Sequence, residues 1–499
     1  MKKFDKILLL FLWCGFSTVG IIAVDEDLDS QFLSENNSSS SEMKEEKTDQ
    51  WQINGFAQNE NHFGATGINS ARKSDIIKLE SRVNLKFKYT ASSFYIKGNF
   101  DAFYYPEVEA GTKVNPHSKV LETQELYIGG GENFQFKIGK MLLDYSTADA
   151  FSVVNYMIQA DMRELFVKDS ADVNRGIFAV ELKYILGDFS FEFALTPVHN
   201  RPLFASQGSF WQISVPSVSS LALPTPFYGT GGVYTNGVTP AITVGDPLES
   251  SFKNISGTLR AGGSIGSLDF HLLYFNGIDQ SIIFVPTTTM TNFSSPSVSI
   301  DVAPAYNKVD SFGFDLAYDY KQFTLRAETS YTPRKWLMLK EDPTQIVDVA
   351  NQKVTVTNQL TTEQYLAYTI GFDVKIFSDD RIFLVEWMQA QPLKNQSKYN
   401  KEFFTDILLL RLEDKFLQQR LKVSLTGVIR PRPHAHTHDP SDTTHKDQMG
   451  YIISPELSWD FENGLTLIWG GSFFVGNGDD LIQPFENNDL VYTRARFTF

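Results

Sequence analysis

Asp489-Leu-Val-Tyr-Thr-Arg-Ala-Arg-Phe-Thr-Phe499 closes the chain, and its alternation decides the fold. Counting back in twos, Phe499, Phe497, Ala495, Thr493 and Val491 share one face, while Thr498, Arg496, Arg494 and Tyr492 share the other. A period of two belongs to a β-strand. The stretch is long enough to cross a bilayer as a tilted strand, which takes roughly 9–11 residues. An apolar face backed by arginines suits a wall with lipid on one side and water on the other. The alternative is the edge strand of a soluble sandwich, and the rest of the chain separates the two.

The same pattern recurs from Lys78 to Tyr89, where Leu79, Val83, Leu85, Phe87 and Tyr89 oppose Lys78, Glu80, Arg82, Asn84, Lys86 and Lys88. No helix segregates those sets. Aromatic residues make up 14% of the chain, and many fall at period two, as in Phe189, Phe191, Phe193 and Leu195 or Phe312, Phe314, Leu316 and Tyr318. The expected count is about 18 strands. It falls to about 16 if Phe404–Leu412 and Leu421–Ile429 are not strands, because Leu409, Leu412, Phe416 and Leu417 also fit a helical stripe. Short turns near positions 90, 130, 187, 264, 321, 379, 415 and 463 alternate with long connections. Such parity places short turns on one rim and long loops on the other, and closure removes the exposed edges of a sheet. The expected fold is therefore all-β, a transmembrane antiparallel up-and-down barrel over residues 51–499. An even strand count puts both ends of the barrel on the short-turn, periplasmic side.

The first 23 residues read as an export signal: basic Met1-Lys-Lys-Phe-Asp-Lys6, an apolar run from Ile7, and a small-residue site at Ala23. An uncleaved anchor is the alternative. Cleavage would remove Cys14, the only cysteine, and with it any disulfide or thiolate chemistry. It would also remove three lysines against one aspartate and take the net charge from −15 to −17. That acidity argues against nucleic acid as a partner. Residues 24–50 are acidic and serine-rich with almost nothing to bury, and read as a disordered periplasmic tail.

A terminal phenylalanine on a strand of this kind resembles the assembly signal of Gram-negative outer-membrane barrels, which assigns Phe499 and Phe497 to recognition by the barrel-assembly machinery. A second resemblance lies in the long connection from Lys140 to Arg175. Its runs Gly139-Lys-Met-Leu-Leu-Asp144-Tyr145, Ala148-Asp149-x-Phe151, Ala160-Asp-Met-Arg163-Glu164 and Arg175-Gly176, followed by Leu195-x-Pro197, are similar to a stretch of large outer-membrane porins with a layout like the alginate-export barrels. The resemblance implies a channel of this class, without a named substrate. Phe151, Val153, Val154, Tyr156, Met157 and Ile158 are too apolar for a free surface loop. The segment is expected to fold inward, narrowing the pore and presenting Asp144, Asp149, Asp161, Arg163 and Glu164 to solutes. The alternative is an extracellular flap.

If the last strand closes on the first, Lys78, Arg82, Lys86, Lys88, Lys97, Arg494 and Arg496 share one wall against Glu80 and Asp101. Such a basic ladder would guide anions; cross-strand ion pairing that braces the wall is the other reading. The loop with His434, His436, His438 and His445 carries side chains that suit zinc, copper or nickel, and is otherwise a polar surface loop. His271, two residues from Asp269, has no serine nucleophile evident beside it. The function expected is a non-enzymatic outer-membrane porin, without cofactor, that passes small polar or anionic solutes and sits among outer-membrane lipids. Monomer and homo-oligomer both stay open. The alternatives are a structural or adhesin-type barrel and a barrel-embedded hydrolase.

Overall fold

The computed structural model describes residues 50–65, 76–105, 119–164, 167, 170–197, 202–204, 211, 221–222, 233–234, 241–244, 254–279, 283–291, 297–339, 344–348, 350–351, 353–357, 359–376, 380–394, 398–399, 406–430, 450–476, 482, 485–486 and 488–499. The proposed signal segment, nearly all of the acidic tail, and His434, His436, His438 and His445 lie outside the described residues.

Eighteen strands form one sheet. They are β1 (Gln50–Gly64), β2 (Ile76–Thr90), β3 (Phe94–Tyr104), β4 (Lys119–Gly130), β5 (Phe134–Met141), β6 (Ile177–Leu186), β7 (Phe189–Thr196), β8 (Ser256–Ile265) and β9 (Leu268–Ile278). The second half comprises β10 (Lys308–Tyr320), β11 (Phe323–Met338), β12 (Leu360–Lys375), β13 (Ile382–Pro392), β14 (Ile407–Phe416), β15 (Leu421–Arg430), β16 (Gly450–Asp460), β17 (Leu465–Val475) and β18 (Leu490–Thr498). Each pairs antiparallel with the next, and β18 pairs with β1 from Phe56 opposite Thr498 to Gly64 opposite Leu490. The ring is closed. Residues 407–416 and 421–430 are strands, so the count is 18 rather than 16.

Eight short turns alternate with nine long connections, so the rims differ as the spacing of turn residues predicts. The turns rest on left-handed backbone where tightness demands it, at Gly131, Gly187 and Gly464 among others. Parity holds all the way round. On the outside stand Val83, Leu85, Phe191, Leu259, Leu272, Phe312, Phe372, Trp387 and Leu425, each more than a third exposed. Trp51 and Tyr89 pack with ring centroids 4.8 Å apart, and Phe94, Phe134, Tyr184, Tyr318, Tyr320 and Phe323 stand beside the same short-turn rim. Apolar side chains exposed this systematically, with aromatics massed at one edge, mark a lipid-facing surface.

A smaller five-stranded sheet joins residues 241–244, 283–291, 297–305, 344–348 and 353–357, all from long connections. These pieces lie outside the 18 strands of the wall. No helix among the described residues is long and apolar enough to cross a membrane, which says nothing about a barrel.

Candidate functional site

The inner face is built by register. Opposite β18 the first strand turns Gln58, Glu60 and His62 inward beside Arg496, Arg494 and Tyr492. On its other side it meets Arg82, Glu80 and Lys78 of β2. Lys78 and Arg494 are almost fully buried here. The Lys78 ammonium lies 2.9 Å from Glu164, 3.1 Å from Glu80 and 3.5 Å from Glu60, and Arg494 donates to Glu60 at 3.0 Å. His62 Nε2 approaches the same Glu60 carboxylate at 2.5 Å. Glu60, His62 and Glu164 offer three potential ligand atoms within 4.8 Å of one another. Two of the three, Glu60 and Glu164, are taken up by the Lys78 ammonium, which these two and Glu80 surround as a cage of carboxylates.

Next to it, Arg82 donates to both oxygens of Asp101 at 2.7 and 3.0 Å and to Asp172 at 2.5 and 2.9 Å. Its guanidinium also lies 5.0 Å from the Phe56 ring and 5.3 Å from the Phe103 ring. Planar, bidentate and stacked contacts of this kind suit arginine and not lysine. Arg163 and Arg175 share Asp161 at 2.7 Å each, and both reach Glu122. Burial pushes the Arg163 pKa down, and hydrogen bonding and charge from Asp161 more than reverse this, raising it overall. A cavity of about 30 Å³ remains between these groups, lined by Lys78, Arg82, Arg163, Glu164, Arg175 and Arg494 among others.

The segment after β5 supplies Asp161, Glu164 and Asp172, and its first part runs to the far wall. Gly139, with φ of 137°, lets β5 pass close over β4, where an added Cβ would meet the Tyr127 backbone at 2.7 Å. Past Met141 the chain reaches inward-facing residues of β11 to β13, six to eight strands round the ring. Backbone amides of Thr147, Ala148 and Val153 donate to Glu328 at 2.7 to 2.9 Å. Those of Asp149 and Phe151 donate to Glu386 at 2.8 and 2.6 Å. Thr369 donates to the Phe151 carbonyl, Tyr156 bonds Ser330 and stacks on Phe275 at 4.7 Å, and Val154 and Met157 are buried. The segment therefore lies within the ring, as its apolar composition requires.

The lumen wall is not uniformly polar. On β13 to β17, Leu384, Leu409, Val428, Ile452, Ile468 and Phe474 form an apolar patch that packs with Trp211 and Phe485 from long connections. Phe474 stands 5.7 Å from Trp211 and 6.4 Å from Phe485 between ring centroids. On β3 to β7 the wall is charged: Lys97, Lys137 and Lys183 pair with Glu125, Glu181 and Glu192 at 3.0, 2.7 and 2.8 Å. His271 Nδ1 sits 2.8 Å from Arg260 and 2.9 Å from Asp315, and among the described residues no serine hydroxyl bonds the ring.

The predicted ladder residues all carry inward register on the neighbouring strands β18, β2 and β3, with β1 between. Their charge balance differs from the expectation of Glu80 and Asp101 alone: Glu60, Glu125, Glu164 and Asp172 also meet these cations, and Arg496 donates to Gln58 at 2.8 Å. Lys86 and Lys88 are half-buried, and Lys88 Nζ lies 5.9 Å from the Tyr95 ring. Of the five charges assigned to the constriction, Asp144 and Asp149 are exposed. Asp161 and Glu164 are buried and Arg163 is held by Asp161, because the segment folds its second half onto β2 and β4. Phe497 stands opposite Ala57, and the Phe499 backbone exchanges hydrogen bonds of 2.9 Å with Gly55, closing the seam. His62 is not among the residues the sequence singled out; it joins the site because the alternation of β1 runs on to Gly64 and turns it inward.

A closed even-stranded ring, lipid-type residues outside, charge inside and unequal rims together admit one reading. The fold is that of an outer-membrane β-barrel. Its location is accordingly the outer membrane of a Gram-negative cell. No protein-family model and no curated protein matches the sequence. Among solved structures the chain is similar to a BenF-like porin from Pseudomonas fluorescens, with 10% identity, a TM-score of 0.48, and cover of 90% of this chain and 98% of that one. It is similar to OccAB4 of Acinetobacter baumannii, at 10% identity and a TM-score of 0.48, over 91% of this chain and 98% of that one. It is also similar to OpdK of Pseudomonas aeruginosa, solved with vanillate, at 8% identity and a TM-score of 0.47, over 90% and 98%. Likenesses this distant carry no functional inference. The barrel rests on its own pairing.

Proposed function

We propose that the chain is a non-enzymatic channel for small polar solutes, preferring anions, with the segment after β5 narrowing its bore. The observation that carries the anion preference is the depth of charge on β3 to β7. The side chains of Lys97, Lys137 and Lys183 are 32, 34 and 34% exposed, while their partners Glu125, Glu181 and Glu192 are 14, 8 and 6% exposed. Water in the lumen meets ammonium groups, with the carboxylates behind them. In a narrow channel with low-dielectric walls such a surface raises local anion concentration. Arg82 and Arg494, buried in ion pairs, serve the wall instead. Narrowing is supported by the hydrogen bonds that hold residues 146–153 against β11 and β13. Lipids cover the outer face, and the Phe497–Phe499 strand end is the part offered to the assembly machinery.

Reversal potential in a salt gradient across a planar bilayer tests this. The wild-type channel is expected to favour anions, and a triple Lys97→Gln, Lys137→Gln, Lys183→Gln variant to move toward cations while folding normally. A wild-type barrel with no open-channel current would remove the channel reading and leave the structural or adhesin barrel. An unmoved potential in the triple variant would show that these lysines do not set the selectivity, and a wild type with no preference would leave an unselective pore.

A further inference from the structure

Glu328 and Glu386 are 2% and 1% exposed. Among the described residues neither has a lysine or arginine partner. Buried carboxylates are costly unless hydrogen bonds satisfy them, and here nearly all the donors come from one stretch of chain. Glu328 accepts from the amides of Thr147, Ala148 and Val153 and from the hydroxyls of Ser146 and Ser152, both at 2.8 Å. Glu386 accepts from three successive amides, Asp149, Ala150 and Phe151. Successive N–H groups aimed at one point form an anion-binding concavity, and bonds to a charged acceptor are about twice as strong as neutral ones.

We propose that Glu328 and Glu386 are the positioning residues of the intraluminal segment, and that each amide cradle is a carboxylate-binding site whose resident ligand is the wall glutamate. The proposal rests on the channel reading only for its effect on current. The backbone of residues 147–153 needs those acceptors to stay ordered, because it belongs to no sheet or helix that could satisfy it. Glutamine in place of either glutamate keeps the bulk and exchanges one acceptor oxygen for an amide donor facing the N–H groups. Alanine at 386 removes a CH2–COO⁻ unit, the atoms of acetate.

Two measurements test it on the full barrel in detergent and in bilayers: hydrogen exchange of peptides spanning 147–153, and single-channel current. Wild type is expected to protect these amides and to give a steady open level. Glu328→Gln and Glu386→Gln should lose that protection and give a raised, noisy current. Glu386→Ala should do the same in sodium chloride and recover both in sodium acetate of equal ionic strength. Wild-type exchange and steady current in both glutamine variants would show that side-chain bulk alone holds the segment, and would overturn the proposal. Equal behaviour of the alanine variant in acetate and chloride would overturn the carboxylate site. If the alanine variant does not fold, the isosteric glutamines decide. A wild type that conducts nothing would sink the channel reading, and the exchange measurement would still judge the cradles.

Discussion

Leu85→Arg is expected to cost about 2–4 kcal/mol of barrel stability, the range for an arginine on the lipid face near mid-bilayer. Leu85 points outward, 41% exposed, on β2. It stands six residues before the short turn that begins at residue 91. With a rise of about 3.3 Å per residue and a strand tilt of about 40°, that puts its side chain about 15 Å above the rim. The apolar band of such barrels is about 25 Å tall, so this is close to the middle. Leu186→Arg is the matched control: it makes the same chemical change outward on β6, but at the last strand residue before a short turn. There the cost should fall to about 0–1 kcal/mol. At about 1.4 kcal/mol per factor of ten, Leu85→Arg lowers the folded-to-unfolded ratio by a factor of roughly 30 to 700. Denaturant titration of barrels refolded into phosphatidylcholine vesicles, read by tryptophan fluorescence and by the heat-modifiable band, measures both. Equal costs for the two variants, or none for Leu85→Arg, would refute the assigned facing and depth.

Asn84 should not tolerate arginine although it faces the lumen, because it is 1% exposed and donates to Asn99 at 2.7 Å and Asp101 at 2.9 Å; loss of the heat-modifiable form checks this. Asp101→Asn leaves the Arg82 guanidinium short of a buried counter-charge and should cost about 3–5 kcal/mol, whereas Lys97→Gln, at a part-exposed pair, should cost under about 1 kcal/mol; denaturant midpoints compare them. Gly55→Val should cut the yield of folded barrel, since a Cβ there presses on the Asn84 carbonyl and meets the Phe499 ring at 3.1 Å, at the seam where first and last strands join. Raising salt from 0.1 to 1 M shortens the screening length from about 10 to 3 Å and should shrink the anion preference; a reversal potential per decade of gradient that is independent of salt would contradict the lysine reading.

The period-two alternation and the parity of turn lengths left the strand count at about 18 or 16, which the pairing of residues 407–416 with 421–430 decides, but by themselves they determined the barrel and which face of each strand meets lipid. These are local quantities: side-chain direction along a strand follows from two residues of backbone geometry, and a turn is short or long in the sequence itself. Even the seam was legible, because an even number of strands leaves the two ends adjacent. What only the tertiary structure decided is which charges meet. Arg82 finds Asp172 across 90 residues, and Ser146 finds Glu328 across 182. Glu60 joins the cage around Lys78 only because β1 lies between β18 and β2. Alternation says that a lysine or a glutamate points inward; it cannot say how deep its tip lies or what lies over it. Those depend on where a folded-in segment crosses the lumen, and that crossing is set by long-range hydrogen bonds to Glu328 and Glu386 that leave no periodic trace in the chain. The ladder of seven cations was therefore readable as a row, while its division into buried braces and wet lysines was not.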